Sequence, residues 1–165
     1  MTPRRRFNHL AGARTGHSIM THTVHVLNGS NLNMLGRREP ELYGRTTLAQ
    51  VQQRMEALAA ELGVRLLFRQ TNHEGVMVDW IQEAFEHDAA LIINPAGFSF
   101  GCVPVMDALK LITRPLVEVH VTNIHRRSDH YRRSYVSEVA TGVICGLGTG
   151  GYLLALRAVV EALEA

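Results

Sequence analysis

The sequence has few of the residues that mark a disulfide-rich, fibrous or low-complexity protein. Two cysteines, five prolines and one tryptophan occur among its 165 residues. Both cysteines, Cys102 and Cys145, stand in apolar runs, where a thiol is usually buried and free. Proline and glycine are too scarce for a collagen-like or disordered chain. A chain of this length builds one core without disulfide or metal staples, and we expect a single domain.

A strong charge of one sign and a long apolar run are also missing. Lysine and arginine number 17 against 15 acidic residues, and a net charge of +2 is too small to predict a nucleic-acid partner. No apolar run approaches the roughly 20 residues that span a bilayer. The arginine-rich start is not followed by the apolar core of a signal peptide. We therefore expect no membrane partner and a cytoplasmic location.

Hydrophobic periodicity divides the chain into two parts. Residues 1–20 are basic and aperiodic, which predicts a flexible extension, and residues 21–165 are predicted to form one domain. In that domain, short apolar strands alternate with amphipathic helices, of which the segment 46–62 is the clearest. The alternation predicts right-handed βαβ units and a parallel sheet of about five strands. The fold class is therefore α/β, with helices on both faces in a three-layer sandwich.

Polar clusters follow three of the predicted strands, at 28–44, 94–101 and 118–133. Ligands bind at the carboxyl ends of strands in such sheets, so these loops are the ones to search. Tyr43 lies on the first of them. A guanidinium beside its phenol would stabilise the phenolate and make it a base; Arg38 is the favoured source and Arg37 the alternative.

Glycines bound the loop that carries Tyr43. Gly36 and Gly44 would allow the segment between them to hinge as a lid. The alternative is an ordinary surface loop with an exposed arginine pair. The residue pattern alone leaves both interpretations open.

The third cluster, at 118–133, begins with side chains that alternate between the two sides of a predicted strand. Glu118, His120 and Thr122 would share one side of an extended segment. A carboxylate beside an imidazole favours the imidazolium form, which is a general acid suited to neutral pH. The alternative is a half-buried strand with a structural histidine.

Two other sequence patterns imitate a cofactor motif and a metal site, and we expect neither a cofactor nor a metal. The segment 146–151 satisfies G-x-G-x-x-G, but no second strand follows it, so we interpret it as close packing of a helix on the sheet. His120 and His125 have no third ligand at a convincing spacing, so no metal site is predicted.

Several ordered motifs resemble the type II 3-dehydroquinate dehydratases. They extend over nearly the whole chain from residue 24 to about 160, and comprise the segments 27–32, 35–44, 69–74, 93–95, 118–125 and 140–144. The resemblance implies a flavodoxin-like fold and a homododecamer built as a tetramer of trimers. It implies anti elimination of water from 3-dehydroquinate, a cyclic keto-carboxylate, to 3-dehydroshikimate through an enolate, without metal or cofactor.

The resemblance also implies roles in proton transfer. Tyr43 would be the base that takes the C2 proton, and Arg38 would stabilise its phenolate. His120 would protonate the departing C1 hydroxyl, assisted by Asn94 and tuned by Glu118.

Substrate contacts are implied in the same way. Asn31 would hold a water molecule that stabilises the enolate oxygen. The backbone amides of Val121 and Thr122, with the Thr122 hydroxyl, would bind the carboxylate. Asp107 would reach into a neighbouring subunit's site, and Arg127 would support the lid.

Two aromatic residues depart from the family pattern. Phe100 stands where the family has a histidine that contacts substrate hydroxyls, and Tyr131 stands where it has an arginine that grips the C4 hydroxyl. The alternatives are therefore a paralogous lyase acting on a less hydroxylated keto-carboxylate, or a non-catalytic binding member of the fold. A flavin carrier is a further alternative, although residues 28–31 lack a hydroxyl-rich phosphate loop.

Overall fold

A computed structural model describes residues 22–165, so the predicted extension at 1–20 lies outside the described residues. Its sheet has five strands, all paired in parallel. They are β1 (Thr23–Ser30), β2 (Arg65–Gln70), β3 (Ala90–Ala96), β4 (Leu116–His120) and β5 (Gly142–Cys145). The strand order β2-β1-β3-β4-β5 is that of flavodoxin-like proteins, and it confirms the predicted parallel α/β sheet.

Helices connect these strands. They are α1 (Pro40–Tyr43), α2 (Leu48–Leu62), α3 (Glu74–Glu86), α4 (Val103–Leu109), α5 (Asp129–Arg132) and α6 (Gly150–Glu164). Helices α1 and α5 were not predicted, because each has four residues and none of them is buried. Periodicity needs a buried face to be visible in the sequence. No helix within the described part of the chain combines the length and the apolar character needed to cross a membrane.

The sheet separates two apolar cores, as the three-layer prediction requires. Val51 of α2 and Leu156 of α6 pack in the core on one face. Ile81 of α3 and Val105 of α4 pack in the core on the other face. These four side chains are almost completely buried, so the sheet is covered on both sides.

Helix α2 is fixed at both ends by local interactions. Thr47 accepts a hydrogen bond from the backbone N–H of Gln50, and the Gln50 side chain accepts one from the backbone N–H of Thr47. This capping box satisfies two N–H groups at the start of the helix. Gly63 ends the helix with a φ of 69°, a left-handed conformation that glycine adopts without strain. The rigid start of α2 fixes the far end of the loop that carries Tyr43.

The glycine-rich segment after β5 packs a helix onto the sheet, as predicted. A Cβ atom at Gly151 would lie 3.3 Å from Cγ2 of Ile144 and 3.5 Å from Cγ1 of Val119. Only a glycine leaves the neighbouring side chains undisturbed at this distance.

Both cysteines are free thiols. Cys102 is buried, as predicted. The prediction of burial is wrong for Cys145, which is half-buried because it ends β5, the edge strand of the sheet.

Candidate active site

A cavity of about 260 Å³ opens at the carboxyl ends of the strands. Apart from Glu118 and Asp107, every residue that the sequence assigned to the site lines this cavity. These residues are Asn31, Arg38, Tyr43, Asn94, Phe100, His120, Val121, Thr122, Arg127 and Tyr131. The fold therefore brings together side chains that are spread over about a hundred residues of the sequence.

His120 lies at the end of β4 with Glu118 directly behind it. Nε2 of His120 is 2.7 Å from Oε1 of Glu118, and both residues are buried. An ionised carboxylate can only accept hydrogen bonds, so Nε2 carries a proton and Nδ1 is the ring nitrogen that remains for chemistry. The predicted pairing along the strand is therefore present.

Hydroxyl groups hold the carboxylate of Glu118 in place. Ser134 donates a hydrogen bond to Oε1, and Ser137 donates one to Oε2. Burial alone would raise the pKa of Glu118, but the hydrogen bond and charge of His120, together with the two serine hydroxyls, outweigh it and lower that pKa below its ordinary value. Glu118 is thus an ionised group in a buried position.

The loop between Gly36 and Gly44 forms one wall of the cavity. Gly36 has a φ of 81°, and a Cβ atom there would lie 2.7 Å from the carbonyl oxygen of Arg45, so glycine is required. Tyr43 ends α1 and is half-buried. Arg38 and Tyr43 line both the main cavity and a smaller adjoining one of about 60 Å³. Nε of Arg38 lies 3.0 Å from Oε2 of Glu39, so its guanidinium has a carboxylate partner at the surface.

A hydrogen-bonded turn presents Asn31 to the cavity. Asn31 has a φ of 65°, a left-handed conformation that asparagine tolerates better than most residues. Its backbone N–H donates to Oδ1 of Asn72 at 2.9 Å, and Gln70 donates to the same oxygen at 3.0 Å. Gln70 also donates to the carbonyl oxygen of Gly29 at 3.2 Å, which ties the turn to β2.

Residues 22–160 match the sequence model of the family described as Dehydroquinase class II. The chain belongs to this family. That result confirms the resemblance drawn from the motifs.

Curated members of the family match over most of their length. The 3-dehydroquinate dehydratase of Caulobacter vibrioides is 49% identical over 139 residues, which cover 84% of this chain and 95% of the relative. The 3-dehydroquinate dehydratase 2 of Pseudomonas aeruginosa is 49% identical over 146 residues, covering 88% and 99%. The crystal structure of the type II dehydroquinase from Propionibacterium acnes matches with a TM-score of 0.83 and 41% identity, covering 86% of this chain and 98% of that chain.

Phe100 and Tyr131, the two residues expected to depart from the family pattern, form an aromatic wall on one side of the cavity. The rings of Phe100 and Tyr131 meet edge to face with centroids 5.1 Å apart. Cζ of Arg127 lies 4.3 Å from the centroid of the Tyr131 ring, which is within cation–π range. The wall makes this side of the cavity more apolar and holds Arg127 against it.

Asp107 lies outside the cavity. It is exposed on α4, and its Oδ1 is 3.1 Å from Nζ of Lys110. Its expected role involves the site of a neighbouring subunit. The role of Asp107 therefore stays a prediction.

One group in residues 22–165 has the chemistry of metal ligands, and it lies away from the cavity. The potential ligand atoms of His25, Glu83 and His87 lie within 4.8 Å of one another, towards the amino ends of the strands. Arg69 already binds Glu83 through two hydrogen bonds of 2.6 and 2.8 Å. Burial lowers the pKa of His25 to about 4, against an opposing effect of Glu83. The carboxylate is thus neutralised by an arginine.

Sequence reasoning missed the residues that support the site from behind. Ser134 and Ser137 follow α5 in a segment without periodicity, so no pattern connects them with Glu118. Gln70 and Asn72 are part of a motif that carried the resemblance, which was the one available signal. All of these residues support the site through hydrogen bonds to segments that are distant in sequence.

Proposed function

We propose that the protein is a carbon–oxygen lyase that dehydrates 3-dehydroquinate to 3-dehydroshikimate, a step of the shikimate pathway. Family membership and the names of the relatives support this activity. The observation that carries it is the cavity in which Tyr43 and His120 line the same space, with Glu118 behind His120. A base and an acid facing one small cavity are what an elimination of water requires.

Tyr43 is proposed as the base. As a phenolate it removes a proton from C2 of the substrate, next to the C3 ketone, and the electron pair passes into an enolate. Arg38 stabilises the phenolate, and its place in the same cavity wall supports this role. The hinge-like glycines at both ends of the loop allow its guanidinium to leave Glu39 and approach the phenol as the loop closes.

Asn31 is proposed to stabilise the enolate through a bound water molecule. The charge that develops on the C3 oxygen needs a hydrogen-bond donor already in position. The turn that presents Asn31 is held by Asn72 and Gln70, and that rigidity supports the role.

His120 is proposed as the acid. In its imidazolium form it protonates the C1 hydroxyl, the C1–O bond breaks, and the enolate electrons form the C1–C2 double bond as water leaves. Glu118 stabilises the imidazolium, and its own lowered pKa keeps it ionised for this purpose. Proton exchange with solvent then restores Tyr43 and His120 for the next cycle.

The remaining cavity residues are proposed to bind the substrate. The backbone amides of Val121 and Thr122, with the Thr122 hydroxyl, would hold the carboxylate at the end of β4. Asn94 would assist His120. Phe100 and Tyr131 would face the ring hydroxyls, and Arg127 would support the lid.

A homododecamer arranged as a tetramer of trimers is also proposed, on the resemblance. The exposure of Asp107 supports a contact with a neighbouring subunit's site. A cytoplasmic location is proposed as well, supported by the two free thiols.

The test is direct, because dehydration creates a conjugated enone. Purified protein is mixed with 3-dehydroquinate over a range of concentrations, and the ultraviolet absorbance of the enone is followed. We expect saturable formation of 3-dehydroshikimate. An absence of turnover at every concentration would overturn the proposed function.

A further inference from the structure

Tyr152 lies beneath the cavity without lining it. Its ring is completely buried in the core shared by α2 and α6. Its hydroxyl reaches two asparagine side chains, one near the end of β1 and one near the end of β3. These residues, Asn28 and Asn94, are paired in the neighbouring strands β1 and β3. The side chains that precede them on the same face of each strand are apolar and belong to the core. No sequence motif singled out this tyrosine.

Hydrogen bonds connect these three side chains in one fixed direction. A carbonyl oxygen can only accept, so Asn28 turns Nδ2 towards the carbonyl oxygen of Arg69, at 2.9 Å. Its Oδ1 then faces Tyr152, whose hydroxyl donates its single proton to it at 2.7 Å. The phenol oxygen has only acceptor capacity left, and Nδ2 of Asn94 donates to it at 2.8 Å. The backbone of β2 thus sets the direction of the whole chain of hydrogen bonds.

The orientation of Asn94 follows from this direction. An amide side chain has two similar ends, and its neighbours decide which end points where. With Nδ2 bound to Tyr152, the end left for the cavity is Oδ1, and Asn94 lines the cavity. The opposite orientation would place two acceptors, Oδ1 of Asn94 and the phenol oxygen, against each other in a buried site, which is costly.

We propose that Tyr152 is a positioning residue for the dehydration, because it holds Asn94 with its carbonyl oxygen towards the substrate. This inference rests on the proposed function. An acceptor at this point receives a hydrogen bond from the substrate hydroxyl that His120 protonates, and it repels a carboxylate. The substrate carboxylate is thereby directed to the donors at Val121 and Thr122.

The environment of Tyr152 suits a permanent donor. Burial raises the pKa of the phenol, against a smaller opposing effect of the hydrogen bond from Asn94, so the hydroxyl keeps its proton throughout the physiological range. The direction of the hydrogen bonds is therefore independent of pH.

The experiment compares two variants of the same helix. Tyr152→Phe removes only the hydroxyl, and Val159→Ala shortens another fully buried side chain of the same core. We expect Tyr152→Phe to lower kcat by about tenfold with KM changed less than about threefold, because the carboxylate donors are untouched. We expect Val159→Ala to lower Tm but to leave kcat near the wild-type value.

A third variant tests whether the orientation of the Tyr152 hydroxyl matters, and not only its presence. Asn28→Leu keeps the phenol but removes its acceptor, so the proton is free to turn towards Asn94 and release the amide. We expect kcat to fall as in Tyr152→Phe, and the double variant to lose no more than either single variant.

The outcomes are distinguishable. An inactive wild-type protein overturns the proposed function, and this role with it. An active wild type whose Tyr152→Phe variant keeps its kcat, or loses no more kcat than Val159→Ala at an equal loss of Tm, overturns the positioning role alone. Additive losses in the double variant overturn it as well.

Discussion

Nε2 of His120 lies 2.7 Å from Oε1 of Glu118 at the buried end of β4. Ser134 donates a hydrogen bond to the same oxygen, and Ser137 donates one to Oε2 of the same carboxylate. The carboxylate of Glu118 is fixed by the serines and in turn fixes the imidazole of His120. The orientation of Nδ1 at the cavity is therefore fixed as well. This relationship supports the stability of the fold and the proposed acid at the same time.

Removing the Glu118 charge is predicted to change how stability depends on pH. The pKa of Glu118 is lowered in the folded protein, so its contribution is present above the ordinary carboxyl value of 4.5 and is lost as pH falls below it. At pH 7 we expect Glu118→Gln to lower the free energy of unfolding by about 1 to 3 kcal/mol. The difference from the wild type should shrink towards pH 3, as measured by urea unfolding.

The matched control for this variant is Glu138→Gln, which removes an exposed carboxylate. We expect little effect on stability from it. A Glu118→Gln variant that stays equally far below the wild type at pH 3 and at pH 7 would contradict the assignment of an ionised, buried carboxylate.

Tyr43→Phe tests the proposed base. The substitution keeps the ring and removes the oxygen that would take the C2 proton, so we expect kcat to fall by about 100-fold or more. Tyr135→Phe makes the same chemical change outside the cavity and should leave kcat unchanged. If turnover by Tyr43→Phe stayed within about threefold of the wild type, Tyr43 would not be the base.

Replacing the aromatic wall is predicted to improve recognition of 3-dehydroquinate. Phe100→His combined with Tyr131→Arg puts donors where the two rings now meet, and we expect kcat/KM to rise by about tenfold or more. Tyr131→Arg alone should gain less, because Phe100 still places an apolar ring where the second donor would stand. Phe85→His, at an exposed position outside the cavity, is the control. No gain in the double variant would mean that the wall does not limit turnover.

His25 is predicted to make the protein sensitive to mild acid. Burial lowers its pKa from 6.5 to about 4, so between these values the unfolded chain binds a proton that the folded chain does not bind. The free energy of unfolding of the wild type should therefore decrease by roughly 3 kcal/mol in total as the pH is lowered through this range. We expect His25→Gln to flatten that part of the curve, whereas His125→Gln, at an exposed position, should not. An unchanged slope in His25→Gln, again measured by urea unfolding, would show that another group titrates there.

Local patterns in the sequence predicted the layers of the fold and one side of the site. Helix and strand periods are set by neighbouring residues, so α2 and the strands could be found without the tertiary structure. The same alternation put Glu118 and His120 on one side of their strand. The boundaries were less accurate: β3 extends to Ala96, beyond the apolar run 90–93 that marked it, because its pairing with β1 continues through Asn94.

What the sequence determined by itself is the parallel α/β architecture, the loops at the strand ends and the family to which their motifs belong. The tertiary structure alone decided which side chains support the site from behind. Tyr152 bonds to Asn28 across 124 positions of the chain, and Ser137 bonds to Glu118 across 19. Periodicity is a property of adjacent residues, whereas these contacts exist only once strand order and helix packing have placed distant segments against each other.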